Sequence, residues 1–295
     1  MCLTPNAPEP ILPPELLRLS EANLIHILFA TSADRPTTLS LLLVCKTAHQ
    51  WLLPVLYHTI AFFSAHQISS FHATHDPLSN PHTQTLFPLI KNLWIGDSGD
   101  TNTLSHSSDL QYGSTSWPIT IIDRILRRCT HLQSLYIVKL DQNEWHRLEG
   151  AIPASLESLA MGPVHGPFHI NDLTSKPRLR TFTSCHTYMR DDEVRDVVMY
   201  PSMRVFRRIW HAGVDVDVWA GGQEACVAKS GTLVEMRLVV CGRGVDEEAM
   251  ERIREVTGGD ARVKVETSEV DGMELVYAEF LEERRAYIAS LTQIA

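Results

Sequence analysis

No long apolar run is present: the longest, around Leu39 to Val44, is far too short to span a bilayer, so no membrane contact is expected. Basic residues are also scarce. Lys and Arg number 26 against 35 Asp and Glu, a formal net charge of -9. That balance argues against general nucleic-acid binding, which needs a clustered basic surface. The six cysteines, Cys2, Cys45, Cys129, Cys185, Cys226 and Cys241, form no C-x-x-C pair, which removes the usual zinc and dithiol signatures. Several lie inside apolar runs, as in Leu43-Val44-Cys45, where a free thiol packs as a small hydrophobe. Such usage fits a reducing compartment. Met1 to Pro5 lacks the charged start and apolar core of a signal peptide. A soluble protein of the cytoplasm, the nucleus or both is expected.

Motifs of chemistry are equally thin. Gly242-Arg243-Gly244 has no strand–helix phosphate context and reads as a turn. There is no P-loop and no pair of carboxylates with a supporting motif, so no cofactor is expected. Gly96-Asp97-Ser98-Gly99-Asp100 and Ala48-His49 echo a serine-protease nucleophile and histidine. Asp100 stands where a second glycine would be required, and His49 sits in an apolar helical run, so Ser98 reads as a polar loop residue after a strand. A triad is in any case defined by geometry. His66, His72, His75 and His82 cluster between two modules, but nothing completes a metal-ligand set. They read as solvated linker histidines, with no metal.

What is present is pattern. Residues 1–10 are proline-rich and polar and read as a disordered leader. Residues 11–62 look helical. Ser20 is a plausible N-cap for a helix through Leu24, Ile25, Ile27, Leu28 and Phe29, ended before Pro36. A second helix from Leu39 to Lys46 is apolar almost all round, which predicts burial. Pro54 should break or start the helix that follows it.

From about residue 86 a triplet of the form apolar-x-x-apolar-x-apolar recurs. It is carried by Ile90-Leu93-Ile95, Leu132-Leu135-Ile137, Leu156-Leu159-Met161, Leu179-Phe182-Ser184, Met203-Phe206-Arg208 and Leu233-Met236-Leu238. First anchors at 132, 156, 179 and 203 are 24, 23 and 24 residues apart, spacings in the range of leucine-rich repeats. Helix-like pieces intervene, notably Ile119, Ile122, Ile125, Leu126 and Cys129 on one face, and Asp191 to Met199. Strand and helix in alternation predict parallel strands with outer helices, because parallel pairing needs a crossover. Two irregularities stand out. The Asn or Cys that normally ties the turn is replaced at most of its positions (Ser98, Leu140, Val164, Thr187 and His211, with Cys241 alone conforming), and two triplets end in polar Ser184 and Arg208.

Residues beside the anchors should face the concave side of such strands. Of these, Trp94, Tyr136, Thr183, Arg207 and Arg237 are the expected contacts for a target protein, since Trp, Tyr and Arg most often anchor interfaces. After Gly242 an acidic helix start, a strand over 262–266 and a helix over 274–291 read as a terminal cap.

The whole is therefore expected to be α/β. A helical module (11–62) and a linker (63–85) precede an irregular leucine-rich-repeat solenoid (86–245) and a C-terminal cap (246–295). Leu12-Pro13-Pro14-Glu15-Leu16-Leu17, Leu42-Leu43-Val44-Cys45-Lys46 and Leu56-Tyr57-His58-Thr59-Ile60 resemble an F-box. The chain as a whole resembles the F-box-like proteins with degenerate leucine-rich repeats that are numerous in mushroom-forming fungi. The resemblance implies no chemistry of its own. It implies an adaptor subunit of a Skp–cullin–F-box ubiquitin ligase held through Leu12, Pro13, Leu16, Val44, Cys45 and Trp51, and a target protein held by the repeats. The spacing from Leu12-Pro13 to Val44-Cys45 is long for the motif, and Leu19-Ser20-Glu21 serves equally as its start. A repeat scaffold without a ligase role stays open as the alternative.

Overall fold

The computed structural model describes residues 35–76, 79–98, 108–212, 224–242, 247–256 and 259–294. The chain divides into two compact units, one of residues 1–56 and 284–295, the other of residues 57–283.

In the first unit, helix α1 (Arg35–Leu41) and helix α2 (Lys46–His58) are joined by a tight turn. The expected helix over 39–46 does not form. Leu43 N–H bonds to Ser40 O and Val44 N–H to Leu41 O, so the chain tightens and stops. Helical phase is lost there, and of the run only Leu42 is buried, with Leu41 half-buried against the same cluster. Leu43 (87% exposed) and Val44 (62%) face outward instead of being buried. α2 then continues through Pro54. The proline forgoes one backbone bond, but Leu52 and Val55 on either side of it are buried with Leu42. Tyr287, Ile288 and Leu291 pack against the same cluster.

The second unit is built on eight parallel strands hydrogen-bonded in sequence order: β1 (Thr59–Phe62), β2 (Asn92–Ile95), β3 (Ser134–Val138), β4 (Ser158–Gly162), β5 (Thr181–Cys185), β6 (Val205–His211), β7 (Glu235–Cys241) and β8 (Val263–Ser268). All six apolar triplets end in a strand, and their second anchors stand in register: Leu93, Leu135, Leu159, Phe182, Phe206 and Met236. One carbonyl bridges each step from β2 to β7. Lys91 O accepts from both Gln133 N–H and Ser134 N–H, Gln133 O from Glu157 and Ser158, Glu157 O from Arg180 and Thr181, Arg180 O from Arg204 and Val205. This shared acceptor recurs at the same point of each repeat and fixes its register.

The sheet extends beyond the triplets at both ends. β1 lies in residues expected to finish the helical module, and β8 in the expected cap. The supposed linker carries helix α3 (Ala65–Thr74), capped by Ser64 Oγ on Gln67 N–H. Its His75 is buried, 2.7 Å from Tyr57 Oη and stacked on Phe71, so this histidine is a packing residue and not a solvated one.

One face of the sheet carries the triplet side chains against α4 (Ile119–Arg128), the single turn α5 (Gln142–Trp145), α6 (Asp191–Val198) and α7 (Glu247–Val256). Ile119, Ile122, Ile125, Leu126 and Cys129 are all buried there, as their spacing predicts. The missing side-chain ladder has a partial substitute. Ser155 Oγ donates to Leu132 O and Ser202 Oγ to Leu179 O, each one repeat back. The two polar triplet ends are accommodated locally. Ser184 Oγ pairs with buried His165 Nε2 at 2.9 Å, and the Arg208 guanidinium lies 4.5 Å over the Trp210 ring. Burial pushes the Arg208 pKa down to about 9 and that of His165 down to about 4.

Glycine is required where strands end against a neighbour. Gly96 has φ +130°, and a Cβ there would lie 2.3 Å from Val138 O. No side chain fits that gap.

Helix α8 (Gly272–Ile294) does not close the end of the sheet. Its first part lies along the other face, where Met273, Val276 and Phe280 pack with Trp94, Tyr136, Cys185, Ile209 and Val239. Gly272 permits the approach, since a Cβ there would sit 2.7 Å from Ile209 Cγ2.

Candidate functional site

Strand alternation sends every second side chain to the face away from the triplets. Trp94, Tyr136, Thr183, Arg207 and Arg237 do share that face, which is the arrangement the sequence predicts. Their accessibility is another matter. Trp94, Tyr136 and Thr183 are buried, which corrects the expectation of an open concave surface. The physical cause is α8. Phe280 lies 5.6 Å from Trp94 and 5.4 Å from Tyr136 by ring centroid, and Tyr277 lies edge-on to Trp94 at 4.9 Å. Aromatic rings of this size gain far more from mutual burial than from water.

α8 also brings acids onto the sheet. Both guanidinium nitrogens Nη1 and Nη2 of Arg207 bond Glu279 in a two-point pair. Tyr136 Oη and Ser134 Oγ both donate to Glu283 Oε1, at 2.8 and 3.1 Å. Glu283 Oε2 is buried without a partner. Burial raises the Glu283 pKa against the lowering effect of those two hydroxyls, and burial with the Glu283 charge raises that of Tyr136. Arg237 pairs with Glu235 at 2.5 Å, and Lys264 reaches the same carboxylate at 3.2 Å.

Where α8 leaves the sheet uncovered, a half-open groove of about 320 Å³ remains. Tyr136, Thr183, Arg207 and Arg237 line it, together with Glu279 and Glu283 from the helix and small residues of β4 to β6. Four of the five residues picked from the strand pattern therefore converge on one groove, and Trp94 belongs to the packing beneath the helix. Glu279 and Glu283 were not legible beforehand. An i, i+4 pair of acids beside the Met273, Val276, Phe280 stripe was the available signal, but acids on a terminal helix ordinarily mark a solvated face.

In the first unit Val44 and Cys45 are exposed and Trp51 is half-buried. Cys45 Sγ accepts from Ala48 N–H at 3.4 Å and so helps start α2. Leu12, Pro13 and Leu16 lie outside the described residues, as do Ser20 and its helix. Leu39, near the end of α1, is exposed as Leu43 and Val44 of the α1–α2 turn are.

Ser98 follows β2 in the second unit, while His49 lies on an exposed side of α2 in the first. Gly99 and Asp100 are outside the described residues. Among the described residues no three His, Cys, Asp or Glu side chains gather to hold a metal, and no helix is long and apolar enough to cross a membrane. The chain matches no protein-family model and no curated protein sequence.

Proposed function

We propose that this protein is a recognition subunit without chemistry of its own. Its α1–α2 turn docks on a Skp-type adaptor of a cullin ubiquitin ligase, and its sheet unit holds the protein to be modified. The observation that carries this reading is the outward display of Leu43 and Val44, together with Leu39. Apolar side chains of this size gain about 1.5–3 kcal/mol each on full burial, so three of them exposed within six residues favour a partner that covers them. Val44 and Cys45 are also the residues that the F-box resemblance assigns to the adaptor.

A ligase subunit of this kind acts by proximity: it raises the effective concentration of target near the transfer machinery. The test is co-purification of the full-length chain with a purified Skp-type adaptor, wild type beside Val44→Asp. Because Val44 is exposed in the free protein, the charge disturbs no core, and the variant should melt within about 0.5 kcal/mol of wild type. Capture of wild type and loss in the variant is expected. Failure of folded wild type to bind any such adaptor overturns the ligase reading.

A second reading, a binding scaffold with no ligase role, is favoured by one observation. Each face of the sheet carries a buried apolar cluster packed by the unit's own helices, a core that includes no residue of the α1–α2 turn. This reading predicts that the folded full-length chain retains a target while capturing no Skp-type adaptor, so that Val44→Asp changes neither result.

A further inference from the structure

The groove beside α8 differs from the rest of that face in what it lacks. Its floor is Ser158 and Ala160 on β4, Thr181 and Thr183 on β5, and Val205 on β6. Side chains this short, facing a helix whose neighbouring turns are filled by Phe280 and Tyr277, leave space where a core would normally be filled. The floor is three strands wide, roughly 10 Å between the outer strand axes.

Its chemistry is polar and balanced. The hydroxyls of Ser158, Thr181 and Thr183 have no hydrogen-bond partner among the described residues. The charged lining is two arginines, Arg207 and Arg237, and two glutamates, Glu279 and Glu283, so the formal charges cancel. Arg207 is already engaged by Glu279, and Arg237 by Glu235. An anion would compete with these carboxylates for the arginines, whereas Glu283 Oε2 has no partner and gives the groove one open acceptor. A lipophilic ligand would find little beyond Ala160, Val205 and the Tyr136 ring. What such a lining does match is a compound offering donors and acceptors in equal measure, with a C–H face to lay on the short apolar residues.

We propose that this groove binds one small neutral polyhydroxylated molecule, a single monosaccharide-sized ring. Its hydroxyls bond the Ser158, Thr181 and Thr183 side chains and the carboxylate wall, and its ring face lies over Ala160 and Val205. The volume, near the lower end for ligand sites, suits one ring and not a chain of them. The site belongs to the second unit and stands independently of adaptor docking by the first.

Saturation-transfer NMR and calorimetry on the full chain test it, with D-glucose and D-galactose as neutral probes and inorganic phosphate and putrescine as charged ones. At least one sugar should show transfer at millimolar concentration, and neither charged probe should bind as tightly. Thr183→Val and Ser158→Ala keep shape while each removes a hydroxyl. Each should weaken sugar binding about 3- to 10-fold, the effect of one hydrogen bond between neutral groups. Silence from both sugars overturns the proposal. So does tighter binding of phosphate or putrescine, or sugar affinity unchanged in both folded variants. Adaptor capture by the same variants should be unaltered, so a failure here is separable from a failure of the ligase reading.

Discussion

Replacing Phe280 by alanine tests the feature on which the second unit's architecture turns, the seating of α8 on the sheet. Phe280 is 1% exposed and touches Trp94, Tyr136 and Tyr277. Truncating an enclosed Phe removes its transfer free energy and leaves a cavity, together about 3–5 kcal/mol. The upper part of that range applies here. Trp94 and Tyr136 stand on parallel strands held by backbone bonds on both sides, so the walls cannot collapse into the hole, and three aromatic contacts disappear as well. For a unit of residues 57–283, each kcal/mol lowers the melting temperature by roughly 2–4 °C, which predicts a fall of about 10–20 °C. Urea unfolding followed by tryptophan fluorescence gives the free energy, and hydrogen exchange over residues 273–283 reports the helix itself. A loss below about 1 kcal/mol with unchanged exchange protection would refute the reasoning, because it would mean that Phe280 is not enclosed by the sheet.

Two further outcomes follow from local geometry. Gly96→Ala should destabilise by at least about 2 kcal/mol, since a positive φ and a Cβ 2.3 Å from Val138 O act together; Gly231→Ala, with nothing within 4 Å of the added Cβ, should be near neutral in the same melts. His165 is held neutral by burial, its pKa pushed from 6.5 down to about 4. As pH falls through that window the unfolded chain takes up a proton that the folded one refuses, so stability declines. By pH 4 this amounts to about 3 kcal/mol. The difference in unfolding free energy between wild type and His165→Gln, measured from pH 7 to pH 4, should therefore shrink as the pH drops, and a flat difference would count against the burial of this ring.

Much of the sheet was legible in the chain because its signal is local. A triplet such as Leu156-Leu159-Met161 announces a strand with one buried face wherever it stands, and three nearly equal intervals in a row require that the strands stack. α4 and α6 declared themselves in the same way, through the face made by Ile119, Ile122 and Ile125 and through the shorter amphipathic stretch from Asp191 to Met199. The placement of Trp94, Tyr136, Thr183, Arg207 and Arg237 on one face followed from alternation alone. Local signals misled where the chain changes direction. The run Leu39 to Val44 reads as a buried helix, but a turn costs helical phase, and phase decides which side of an apolar run meets the core. Pro54 reads as a break, but one lost backbone bond is outweighed when Leu52 and Val55 are both enclosed.

Which surface stays open could only be decided in three dimensions. Whether Trp94 is a contact for a partner or a core residue depends on α8, an element that begins 178 residues further along the chain, and no periodicity within β2 encodes that. The same holds for the acids. Glu279 and Glu283 look like a solvated helix face until the helix is laid on strands that present Arg207, Ser134 and Tyr136. Alternation fixes the direction of a side chain, because it is a property of one strand's backbone. Burial and pairing are properties of two surfaces meeting, and only the tertiary structure specifies the meeting.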